Sequence, residues 1–83
     1  MPKGEVRQWL ERLLWGPEDP SEYEVSFVSR GAPGDVESVR GDEIASVKSD
    51  RMVLSDGRVI PHHRVVEIRL RGSPVWRSPR WSE

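Results

Sequence analysis

Three features of the sequence predict an α+β fold, one N-terminal helix packed on a small, strongly twisted antiparallel β-sheet or partial barrel of five to six strands. Apolar residues recur at helical spacing near the N-terminus, and from Tyr23 onward they alternate in short runs. Clusters of Gly, Pro, Asp and Ser separate those runs.

The helix is predicted over residues 3–15. Val6, Trp9, Leu10, Leu13 and Leu14 fall at spacings of three and four, while Arg7, Gln8, Glu11 and Arg12 form the opposite, polar face. Trp9 and Trp15 are expected to pack on or beside the apolar stripe. Gly16 and Pro17 stop the helix, because glycine accepts a left-handed cap and proline cannot extend the hydrogen-bond ladder.

Tyr23, Val25 and Phe27 alternate with Glu24 and Ser26, the period of a half-buried strand. Arg30 to Asp35 is a turn cluster, followed by strands over Val36–Arg40 and Ile44–Lys48. Arg51–Leu54 and Arg58–Ile60 flank Ser55-Asp56-Gly57, a hairpin signal in which Asp-Gly suits positive φ. Pro61 to Arg64 interrupts the pattern, and Val65–Leu70 is the last strand, with Val66, Ile68 and Leu70 expected on one face. Residues 1–72 are therefore read as one domain. Residues 73–83 are read as a basic, tryptophan-containing C-terminal tail, irregular and partly packed on that domain, with Trp76 in the core and Trp81 exposed.

Eighty-three residues suffice for one domain. With no cysteine, the chain has neither disulfides nor thiolate-ligated zinc to compensate for a small core. No run approaches the ~20 apolar residues of a membrane span. Met1 to Glu5 leads into an amphipathic segment without an apolar signal-peptide core, so no membrane association and a cytoplasmic location are the expectation. A net charge of −1 argues against a generic polyanion binder. The basic residues are nonetheless lopsided, with Lys3 and Lys48 the only lysines among 13 cations. Arginine pairs with phosphate bidentately and stacks on bases, although a GC-rich or thermophilic source also raises its share.

His62 and His63 are the only histidines. Neighbours on a strand point to opposite faces, and no third ligand stands at a metal-site spacing, so neither a metal nor another cofactor is expected. An imidazole titrates near neutrality and suits acid–base work. The alternative is a turn histidine bonding local backbone after Pro61, and no nucleophile or carboxylate partner accompanies it in sequence. The glycines around Arg30 match no phosphate-loop pattern, because no helix follows them. Arg30 itself, at a strand end beside Gly31, is suited to bidentate phosphate binding or to a surface salt bridge. Trp76 and Trp81 with Arg77 and Arg80 form a basic-aromatic segment of the kind that meets single-stranded nucleic acid.

These residues, in this order, resemble an archaeal conserved family described by its RNA cyclic-group end recognition domain. The resemblance spans nearly the whole chain. It is carried by Leu14-Trp15, by Tyr23-Glu24-Val25 with Arg30-Gly31, by Ile60-Pro61-His62-His63-Arg64-Val65 with Glu67-Ile68, and by Val75-Trp76-Arg77. The chain departs from the family pattern at Ser29, where an aspartate is usual, and at His62, where an aromatic residue is usual. The first departure removes a carboxylate partner for Arg30, and the second leaves His63 and Arg64 as the matching pair.

The resemblance implies a non-catalytic RNA-binding module of RNA repair or processing that recognises ends bearing a 2′,3′-cyclic phosphate. Arg30, His63, Arg64, Arg77 and Trp81 are the binding candidates, with His62 and Arg58 secondary. Two alternatives stand beside it. One is a phosphoesterase or cyclase with His63 as acid–base residue. The other is an interaction module that joins other RNA-processing proteins through the tail or an exposed sheet edge.

Overall fold

A computed structural model describes residues 5–29, 31 and 33–78. The helix α1 spans Glu5–Trp15, and its start before Glu5 lies outside the described residues. Seven strands follow: β1 Tyr23–Val28, β2 Val36–Arg40, β3 Ile44–Val47, β4 Arg51–Leu54, β5 Val59–Pro61, β6 Val65–Leu70 and β7 Ser73–Arg77. They form two antiparallel sheets, one ordered β2-β1-β6-β7 and one ordered β3-β4-β5. The α+β class stands, and neither sheet closes into a barrel.

One core joins all three layers. Leu10 and Leu13 of α1 meet Tyr23, Val25 and Phe27 of β1, Ile68 of β6, and Met52, Leu54 and Ile60 of the smaller sheet. The helix forms where the sequence places its apolar stripe, because burial of that stripe outweighs the modest propensity of so short a helix. Arg7 and Glu11, one turn apart, are ion-paired at 2.9 Å on its outer side.

Three expectations are corrected. The strands number seven, in two sheets, because residues 73–77 are not an irregular tail: they pair with β6, and Trp76 stands opposite Ile68, packed against the core. The β6 core face is not the simple 66-68-70 alternation. A bulge between Ser26 and Phe27 shifts the register, so Val65 enters the core beside Ile68. Trp15 does not pack on the stripe. It is 83% exposed, since its position aligns with Gln8 and Arg12 at i, i+4 and i+7 rather than with Leu10 and Leu13.

Short 3-10 turns link the strands. At the turn Gly41–Glu43 a side chain on Gly41 would collide with the Pro20 carbonyl and with Leu13, so only glycine allows that close approach. Gly57 adopts φ +95° in the hairpin between β4 and β5, as the Asp-Gly pair requires.

Candidate RNA-end site

The candidate site begins with a proline. Pro61 ends β5 in an extended conformation, and the next three residues, His62–Arg64, form one 3-10 turn closed by the Val65 N–H donating to the His62 carbonyl. The His62 N–H donates to the Asp50 carbonyl at 2.9 Å, tying the turn to the smaller sheet. Three residues per turn splay successive side chains by about 120°. His62 accordingly turns inward and is half-buried, whereas His63 and Arg64 are exposed.

His62 is an anchor. Its Nε2 is buried without a hydrogen-bond partner among the described residues. Burial holds its pKa below the ordinary histidine value, with the Arg51 backbone and the Asp50 carboxylate acting the other way. The imidazole is thus biased toward its neutral form. Among the described residues no three His, Asp or Glu side chains gather to hold a metal ion.

Sheet register brings further segments to the same place. Phe27 stands opposite Val65, so β1 leaves the sheet at the end where β6 enters from His63 and Arg64. Arg30 follows Ser29 in the loop that leaves from that end, and it lies outside the described residues. The loop closes where the Ser29 N–H donates to the Asp35 carbonyl at 2.8 Å. β7 runs toward this end as well, since Arg77 stands opposite Glu67 and the Ser78 N–H donates to the Val66 carbonyl at 2.8 Å. Trp81, further along, also lies outside the described residues.

Arg77 does not stand alone. Its Nη2 donates to Glu67 Oε2 at 3.0 Å, and Arg69 Nε lies 3.3 Å from the other carboxylate oxygen. Glu67 is the one charged side chain that is buried among the described residues, and it orients the guanidinium of Arg77 on the sheet. Arg58 lies before β5 and is held by Asp56 at 3.0 Å and by Glu37 at 3.0 Å. Both carboxylates compete with any phosphate for it.

Glu67 and Trp15 enter the sequence reading only as carriers of the resemblance and, for Trp15, as expected packing; the buried carboxylate and the exposed indole are seen in the structure. Glu67 was visible in the alternation of β6, which assigns it with Arg69 to the side away from Ile68 and Leu70. Trp15 was visible in the helical wheel.

Fold and sheet end together give a small α+β domain with the His63 imidazole and the Arg64 and Arg77 guanidinium groups exposed at one end of an antiparallel sheet. The chain belongs to the family of the MJ1316 RNA cyclic group end recognition domain, whose model matches residues 4–78. Among its relatives is a UPF0248 protein of Archaeoglobus fulgidus, 37% identical over 71 residues, which cover 84% of this chain and 100% of the relative. A UPF0248 protein of Pyrobaculum islandicum is 37% identical over 78 residues, covering 90% of this chain and 89% of that protein. One from Metallosphaera sedula is 38% identical over 71 residues, covering 86% and 88%. No solved structure matches the chain. No helix among the described residues is long and apolar enough to cross a membrane.

Proposed function

We propose that this domain is a non-catalytic RNA-binding module that holds an RNA end bearing a 2′,3′-cyclic phosphate, in RNA repair or processing. One observation carries the reading: His63 and Arg64, the exposed residues of the Pro61-anchored turn, stand at the sheet end that β1 leaves and β7 approaches. A cyclic phosphate is a compact monoanion with two outward oxygens. One guanidinium and one imidazole N–H complement it without a metal, and charge-assisted hydrogen bonds are the stronger class. Arg77, on β7 at the same sheet end, is taken as a further contact, and Arg30 and Trp81 are taken as candidates from their place in the sequence alone. The name of the family supports RNA ends as the ligand.

The test compares oligoribonucleotides identical except for a cyclic phosphate, a linear phosphate or a hydroxyl at the 3′ end. The expected result is tightest binding of the cyclic end, with His63→Ala and Arg64→Ala each removing about 1.5–3 kcal/mol of that preference. Equal binding of all three ends, unmoved by either substitution, contradicts it.

A further inference from the structure

We propose that the outward face of α1 around Trp15 is a second subsite, a stacking platform for one unpaired nucleobase of the bound RNA strand. The inference rests on the RNA-binding reading above and adds to it a part of the molecule that the end site does not use.

Trp15 is 83% exposed at the last residue of the helix. Gln8 and Arg12 precede it on the same face at i, i+4 and i+7, and with Trp9 they line a shallow cleft of about 440 Å³. The Arg12 guanidinium lies over the Trp9 ring, 5.8 Å from its centroid, and is also ion-paired to Glu18 at 3.3 Å. The cleft wall is thus an indole capped by a cation on one side with a carboxamide beside it, and the open indole of Trp15 follows on the same helical face three residues beyond Arg12.

The composition of this face selects the ligand. Trp15 and Val59 are the only exposed large apolar residues among the described residues. A protein partner needs roughly 800 Å² on each side with a desolvated apolar centre, and a single indole flanked by Arg12 and Gln8 supplies no such patch. A nucleobase needs much less. It is planar, it stacks on an indole face, and its edge carries donors and acceptors that a glutamine amide matches. The molecule measures 31 × 30 × 26 Å, a span comparable to about nine stacked nucleotides at 3.4 Å each.

The experiment uses the full chain and two oligoribonucleotides of about ten nucleotides with the same cyclic-phosphate end, beside the base-bearing strand ending in a hydroxyl. One carries every base, and the other is abasic upstream of its terminal nucleotide. The expected result is a roughly five- to hundredfold preference for the base-bearing strand, erased by Trp15→Ala and partly kept by Trp15→Phe. Discrimination between cyclic and hydroxyl ends stays unchanged in both variants. An unchanged preference in Trp15→Ala overturns the subsite and leaves end recognition standing. A Trp15-dependent preference without end discrimination does the reverse. A wild-type dimer that Trp15→Ala converts to monomer in sedimentation also overturns it, because a second copy then covers the indole. If neither strand binds at low salt, both readings fall.

Discussion

At Glu67 a carboxylate that is only 8% exposed accepts from Arg77 at 3.0 Å and faces Arg69 at 3.3 Å. Removing it takes an acceptor from Arg77 and takes the carboxylate from beside the buried Arg69 Nε. Glu67→Ala is expected to lower unfolding stability by about 1–3 kcal/mol in urea titrations, and Glu67→Gln, which keeps an acceptor, by less. His62 gives a pH signature. Its pKa is lowered in the folded chain, so the unfolded chain takes up a proton that the folded chain resists. Stability is full above the unfolded value near 6.5 and falls as pH drops through it toward the folded value. Glu18, Asp19 and Asp56 are also held below their ordinary values, by Arg12, Ser21 and Arg58 respectively. Their contributions are present above about pH 4.5 and disappear in the acid range below. Melting temperature measured from pH 8 to pH 3 should therefore decline in two steps, and His62→Phe should flatten the upper one.

Among the elements, the turn at Gly41 and the strand β7 matter most for how the sheets meet. Gly41 is buried where the turn passes against the Pro20 carbonyl and Leu13, so Gly41→Ala is expected to cost about 1–3 kcal/mol by overpacking. β7 completes the larger sheet, and Trp76 donates from Nε1 to Glu5 Oε1 at 3.0 Å, tying the last strand to the first turn of α1. A chain ending at Gly72 should melt at lower temperature than one ending at Ser78. Equal melting curves would show that the boundary at residue 72 is sound. These elements also show what the sequence reveals of this fold. The apolar stripe of α1, the Asp-Gly hairpin and the turn after Pro61 are local signals, fixed by residues within a few positions of one another, and each is found where it is predicted. The division into two sheets, the bulge beside Phe27 and the pairing of Ser73–Arg77 depend on partners distant in sequence. Pro74 hides that last strand further, because proline reads as a break, while an edge strand tolerates it. The same holds for the site. The Pro61-His62-His63-Arg64 turn is readable locally, but its nearness to the end of β1 and to Arg77 follows only from strand register.

Over the whole molecule the net charge is −1, and among the described residues ion pairs on the helix and the sheets neutralise many of the arginines. An end-binding domain of this kind should touch few phosphates. Its affinity for a cyclic-phosphate strand should then fall with a shallow logarithmic salt slope, on the order of −1.5 to −3, at about −0.7 for each phosphate contacted. Fluorescence anisotropy over a series of salt concentrations measures that slope, and a much steeper one would indicate a backbone-tracking groove instead. The most direct test of end recognition is a residue-resolved NMR titration with a short RNA ending in a 2′,3′-cyclic phosphate, run beside the same strand ending in a hydroxyl. The account predicts shifts specific to the cyclic end that centre on Pro61–Val65, Val28–Gly31 and Arg77. Identical shift patterns for the two ends, or shifts that leave His63 and Arg64 unmoved, would contradict it.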